Sequence, residues 1–168
     1  DIPDLLEGTG LNVASSMAVH ESQSRFYENI IGKSREFSNY LYKEAIKQFN
    51  EQFDGVSEEE FYKALNKVTP SLIRTEADEL TYSLHIIIRY EIEKLLINDI
   101  IEVKDLPKVW NEKYKEYLGV EPTSDKEGVL QDVHWSDGSF GYFPSYALGN
   151  LYGAQMLNKM IKDIPEVY

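Results

Sequence analysis

Histidine occurs only at positions 20, 85 and 134 of this 168-residue chain, and cysteine does not occur at all. A metal site built on imidazole must draw on these three or on residues outside the chain, and a thiolate site is excluded. Neither His20 nor His85 opens a His-Glu-x-x-His pair, because Ser24 and Arg89 stand where the second histidine belongs. A lone histidine is more often structural than ligating.

Three segments carry more chemistry than single residues do. In His20-Glu21-Ser22-Gln23 an imidazole and a carboxylate sit among small residues that would let another helix come close. Both are costly to bury without partners. Successive helical residues point about 100° apart, so one of His20 and Glu21 should face a site while the other supports it. In Ile73-Arg74-Thr75-Glu76-Ala77-Asp78, Arg74 and Asp78 are expected one turn apart on the same helix face. They could form an ordinary surface salt bridge of little worth. Alternatively Arg74 clamps a planar carboxylate and is oriented by the neighbouring acid. The third segment is Gly128 to Trp135, followed by a glycine-containing loop with Tyr142 and Tyr146. His134, between Val133 and Trp135, can act there with the tyrosines as a hydrogen-bond donor, or the loop can simply pack its aromatic rings on the core.

The elements that must position these residues are helical by period. Asn12 to Ile31 is expected as one helix, with Ala14, Met17, Ala18, Phe26 and Ile30 on its buried face and Gly32 as its stop. Ser34 caps a second helix running toward Phe53, with Phe37, Leu41, Ala45, Ile46 and Phe49 as its apolar positions. Asp54-Gly55 makes a turn, and Ser57 to Glu60 is a capping box opening a short helix to about Val68. After Thr69-Pro70-Ser71 a long helix is expected from about Leu72 to Asn98, with Glu91 and Lys94 as a salt-bridge pair. Asp105-Leu106-Pro107 gives an N-cap with proline in the first turn of a helix that ends near Gly119. Glu121 to Gly128 is a polar loop, Val133 to Pro144 a loop with short extended pieces, and Pro144 starts a last helix to about Lys162.

Composition narrows the function classes. Hydrophobic residues at 42% and charged residues at 27% fit a folded globular chain. The net charge of −12 argues against nucleic acid and against an anionic membrane surface as partners. No apolar run reaches membrane-spanning length, since His85, Arg89, Glu91, Glu93 and Lys94 interrupt the longest. The absence of cysteine is compatible with a cytoplasmic location. The start at Asp1, without methionine, looks like an excision from something larger, with a processed mature protein as the competing explanation.

Taken together, His-Glu-Ser-Gln at 20–23, Ile-Arg-x-x-Ala-Asp at 73–78 and Gly-x-x-Gln-Asp-x-His-Trp at 128–135 resemble the signature motifs of the carboxypeptidase Taq family, in the family's order. The resemblance extends over essentially the whole chain. It implies a mainly α-helical, neurolysin-like metallopeptidase lobe, with at most a small β element near 133–143. Residues 1–168 would form a single helical domain within the C-terminal half of a larger catalytic domain. The implied activity is removal of C-terminal amino acids from peptides with a divalent metal, usually zinc, in an enzyme that is commonly a homodimer.

The resemblance assigns Glu21 as a metal ligand with His20 as its support, Arg74 to the substrate's terminal carboxylate, and His134 and Tyr142 to the oxyanion, with Tyr146 in reserve. Asp78, Gln131 and Asp132 are expected to orient their neighbours. The family's His-Glu-x-x-His helix, which would supply two ligands and the general base, is not in this sequence. The chain alone is therefore expected to be inactive and to bind zinc weakly or not at all. The competing class is a non-catalytic, truncated paralogue serving as a helical interaction or dimerisation module.

Overall fold

A computed structural model describes residues 3–13 and 15–167. A 3₁₀ turn at Asp4–Leu6 precedes α1, Met17–Arg25, which continues as a π-helical turn over Phe26–Ile31. Ser16 sets the start of α1 by accepting the Val19 backbone N–H at 3.1 Å. The helix therefore begins five residues later than its apolar period suggests, and Ala14 lies outside the described residues. Ala18 and Phe26 are buried as expected, Ile30 is half-buried, and Met17 is exposed.

Helix α2, Arg35–Gln48, is capped by Ser34, and α3, Glu58–Leu65, by the full Ser57/Glu60 capping box. Both end short of the expected positions near Phe53 and Val68. The two helices pair through Tyr42, Phe53 and Phe61, whose ring centroids lie 5.7–6.0 Å apart. Phe37, Leu41 and Phe49 of the expected buried face of α2 are exposed, because the contact with α3 uses Tyr42 instead.

The largest departure is at Leu72–Asp78. A continuous helix is expected there, but α4 spans only Glu79–Ile97, and Arg74–Glu76 forms a separate 3₁₀ turn between extended residues Ile73 and Ala77. The cause is Asp78. Its carboxylate caps α4 by accepting from the Thr81 backbone at 2.9 Å and the Thr81 hydroxyl at 2.8 Å. Its other reach is back to the Thr69 N–H. A residue committed to an N-cap has non-helical backbone, so the helix starts after it.

Helix α5, Leu106–Leu118, follows directly from a 3₁₀ turn at Val103–Asp105. Asp105 is itself helical and makes no side-chain cap, whereas Pro107 occupies the first turn as expected. Gly119, at φ 70°, ends the helix in the left-handed region that glycine adopts at low cost. The expected Glu91–Lys94 pair is not formed. Glu91 instead takes Lys113 of α5 at 2.7 Å and the Tyr117 hydroxyl at 2.8 Å, and Lys94 lies over the Tyr90 ring. Residues 133–143 form successive turns, and no strand occurs among the described residues. Helix α6, Pro144–Asp163, closes the chain, followed by a 3₁₀ turn at Pro165–Val167.

The core lies between α4 and α5. Ile88, Ile92, Trp110 and Tyr114 are at most 1% exposed, and each such side chain contributes about 1.5–3 kcal/mol by burial. A second cluster, Tyr82, Ile86 and Phe143, joins α4 to the start of α6. α6 packs along α1, and the approach is close because Gly149 has no side chain: a Cβ there would stand 3.0 Å from the Glu21 Cβ. No described helix is long and apolar enough to cross a membrane.

Candidate active site

Three of the sequence segments meet where α1, the start of α6 and the 131–143 loop converge. Glu21 is half-buried on the α6 side of α1, while His20 is exposed. The Tyr142 hydroxyl lies 3.4 Å from Glu21 Oε1, and the Ser24 hydroxyl donates to Oε2 at 3.1 Å. Burial, and next the nearby Glu21 carboxylate, push the Tyr142 phenol above its ordinary pKa. Tyr142 and Tyr146 meet edge to face at 5.3 Å. The Tyr146 oxygen is 3.1 Å from His134 Nε2, and burial raises its pKa to about 12. His134 packs on Phe143 at 4.4 Å. Burial lowers its pKa, so the ring is neutral at neutral pH.

Arg74 borders this cluster from below, with its guanidinium 4.9 Å from the Tyr146 ring centroid. It does not pair with Asp78. Instead Asp132 accepts from Nε at 3.1 Å and from Nη2 at 2.7 Å, and Nη1 donates to the Tyr82 hydroxyl at 3.0 Å. The local reason is that the 3₁₀ turn points Arg74 inward while Asp78 is used as a cap.

Beneath it lies a polar layer in which sequence alone singled out Gln131 and Asp132 but not their partners. Arg89 of α4 is 0% exposed. It donates to Asp132 from Nε at 2.7 Å, to the His85 carbonyl from Nη1 at 2.9 Å and to Gln131 Oε1 from Nη2 at 2.9 Å. Gln131 Oε1 also accepts the Arg74 backbone N–H at 2.9 Å, and its amide nitrogen donates to the Leu72 and Glu127 carbonyls. Burial opposes ionisation of Asp132, but the Arg74 hydrogen bond and the Arg89 charge outweigh it and hold its pKa below the ordinary 3.8.

His85 completes the layer. The Tyr114 hydroxyl accepts from Arg89 at 3.2 Å and lies 3.0 Å from His85 Nδ1, so donation of its own proton to Nδ1 pairs those two atoms, while His85 Nε2 is buried without a partner. Burial, followed by the Arg89 and Arg74 charges, lowers the His85 pKa from 6.5 to about 4. The folded pKa is thus the lower one, and the stabilisation it represents is complete above the unfolded value and lost as pH falls toward the folded one. Unfolding free energy should drop on the order of 2 kcal/mol from this group between about pH 7 and pH 5. Urea unfolding at the two pH values measures it. His85→Asn should flatten that slope, and an unchanged slope would mean that another group is responsible.

A spacing signal for this layer existed. His85, Arg89 and Glu93 recur every fourth residue on α4, among Ile86, Ile88 and Ile92. That is a buried polar stripe at i, i+4 spacing rather than a set of interruptions in an apolar run.

Among the described residues no group of three His, Asp or Glu is placed to hold a metal ion. Glu21 offers one hard carboxylate at a half-buried position, a donor type that suits a divalent cation. The residues present therefore fit one ligand position.

The fold is that of helical carboxypeptidases. The BsuCP crystal structure matches with a TM-score of 0.94 at 54% identity, over 99% of this chain and 33% of that one. The M32 carboxypeptidase from Deinococcus radiodurans R1 matches at 0.89 and 43% identity, over 98% of this chain and 33% of that one. In sequence the chain is similar to Carboxypeptidase 1 of Bacillus subtilis (strain 168), 54% identical over 166 residues, which are 99% of this chain and 33% of that protein. It is also similar to Thermostable carboxypeptidase 1 of Thermus thermophilus, 51% identical over 152 residues, 90% of this chain and 30% of that protein. The chain thus spans about a third of the length of these relatives. The family model described as Carboxypeptidase Taq (M32) metallopeptidase matches residues 1–168, and the chain belongs to that family.

Proposed function

We propose that this chain works as part of a longer, zinc-dependent carboxypeptidase that removes amino acids from the free C-terminus of peptides. The single observation that carries this is the contact chain from Glu21 through Tyr142 and Tyr146 to His134 and Arg74. Residues 121 positions apart in sequence meet there. A bound zinc ion would supply a polarised carbonyl and an activated water. Glu21 would be the one ligand from these residues, and His20 its support.

The remaining roles belong to side chains of this chain. Tyr142, with its hydroxyl beside the Glu21 carboxylate, would donate to the developing oxyanion. His134 would hold the second donor position there, with its ring fixed by Phe143 and Tyr146. Tyr146, already bonded to His134, stays the reserve for the tyrosine role.

Arg74 would read the terminal carboxylate. Asp132 and Tyr82 engage three of its five N–H groups and fix the guanidinium plane, and one N–H on each terminal nitrogen remains for a ligand. Asp132, Gln131 and Arg89 would hold that plane in place. The homodimer and the cytoplasmic location rest on the family resemblance and the cysteine-free composition. The placement of residues 1–168 as one domain within a larger catalytic domain rests on that resemblance too.

In the intact enzyme Arg74→Ala should weaken processing of free-acid peptides by about 1.5–3 kcal/mol, the scale of a hydrogen bond to a charged group. The assay compares kcat/KM for free-acid and C-terminally amidated peptides. Loss of the preference for the free acid is the expected result. An unchanged preference in a folded variant removes Arg74 from this role and favours a purely structural part for it in the buried layer.

A further inference from the structure

Glu93 is a buried acid on α4, 5% exposed, and the roles proposed above make no use of it. Its carboxylate reaches out of the helix to two points of the 131–143 loop. Oε1 accepts the indole N–H of Trp135 at 2.7 Å, and Oε2 accepts the backbone N–H of Gly141 at 3.1 Å. Trp135 directly follows His134, and Gly141 directly precedes Tyr142. One carboxylate thus closes the loop at the two residues adjoining the proposed oxyanion donors.

The parts on the loop side are matched to this grip. Gly141 has φ 73°, a left-handed backbone that a side chain would strain, and that conformation aims its N–H at Glu93. The Trp135 ring is wedged edge-on between Trp110 of the α4–α5 core at 6.0 Å and Phe143 at 6.1 Å. Both groups facing Glu93 are donors only, so both of its oxygens must accept.

We propose that Glu93 is a positioning residue for the reaction: it fixes the distance between His134 and Tyr142 by clamping the loop that carries them to α4. The proposal rests on the assignment of that loop to the oxyanion, and deepens it. A glutamine at position 93 has one acceptor oxygen and sets an NH₂ group against a second N–H donor. The loop is then released at one end while α4 keeps its length and its apolar contacts. Arg74 is held by Asp132 and Tyr82, not by Glu93, so ground-state binding of the substrate carboxylate should not follow the loop.

The test is steady-state kinetics of the intact, metal-loaded enzyme. In Glu93→Gln kcat should fall roughly 100-fold, the cost of misplacing a catalytic group by about 1 Å, while KM changes less than about threefold. Metal content should match wild type. Trp135→Phe removes one donor and leaves the carboxylate intact. It should lower kcat in the same direction, and the double variant should lose less than the sum of the two. If Glu93→Gln does not fold, Trp135→Phe alone decides by the same split of kcat from KM.

Wild-type kcat in a folded Glu93→Gln, or a fall in kcat no larger than the fall in the folded, metal-loaded fraction, overturns the proposal. His134→Ala separates the two levels. If it loses kcat while Glu93→Gln keeps it, only the clamp is wrong. If His134→Ala itself keeps wild-type kcat, the assignment of the loop and the clamp both fall.

Discussion

Glu21→Gln in the intact enzyme should lose metal and activity together, with α1 undisturbed. The substitution keeps the side-chain length and one acceptor oxygen for the Tyr142 hydroxyl, and removes the negative charge that holds a cation. Glu21 lies against Gly149 through its Cβ and backbone, which glutamine shares, so the α1–α6 contact is kept. Glu21→Ala should be at least as severe. His20→Ala should cost about 10–100-fold in metal affinity or activity, the scale for a residue supporting a ligand. Metal analysis of the purified variants, with circular dichroism to check the helices, gives the order. A structural glutamate would lose stability and keep its metal per folded molecule. Full metal in Glu21→Ala with loss in His20→Ala would mean that the ligand and its neighbour are exchanged.

The second large effect is on stability. Asp132 is the only carboxylate bonded to either Arg74 or Arg89 among the described residues, and both arginines are buried. Its removal leaves two guanidinium groups without their counter-charge in the interior. Breaking a buried pair in this way costs about 3–5 kcal/mol. Asp132→Asn should approach that range, because an amide has one acceptor oxygen for two arginines and adds donors facing donors. Asp78→Ala loses only the cap of α4 and should cost about 1 kcal/mol. Urea unfolding of the two variants compares them directly. A loss in Asp132→Asn no larger than that in Asp78→Ala would show that Gln131, Tyr82 and the surrounding rings carry the arginines without Asp132.

What was legible in the sequence is what is decided locally. Ser34, the Ser57–Glu60 box, Gly119 and Pro144 act within one turn of themselves, and each begins or ends a helix where expected. The motifs at 20–23, 73–78 and 128–135 were recognisable by their resemblance to those of a family, and the structure brings Glu21, Tyr142, His134 and Arg74 from or beside them into one contact chain. The partner of Arg74 was not legible. Asp78 is the nearest acid on a continuous helix, but it is worth more as the cap of α4, and Asp132 is 58 residues away from Arg74. Pairing at that range is set by how the 131–143 loop folds back on α4, which no local period encodes. Glu91 shows the same effect on a smaller scale, taking Lys113 across a helix interface rather than Lys94 on its own helix. Glu93 was visible only as a charge in an apolar run. Its meaning came from two donors, Trp135 and Gly141, 42 and 48 residues away.

The most direct test of the central claim is anomalous scattering from the metal in crystals of the intact enzyme. The expected result is a single peak about 2.0–2.2 Å from a Glu21 carboxylate oxygen, the bonding distance of zinc to a carboxylate. The Tyr142 hydroxyl, His134 and Arg74 should lie on one side of the ion. A fully occupied peak ligated by other residues, with both Glu21 oxygens outside bonding distance, would contradict the assignment of Glu21 and with it the placement of the active site on this chain.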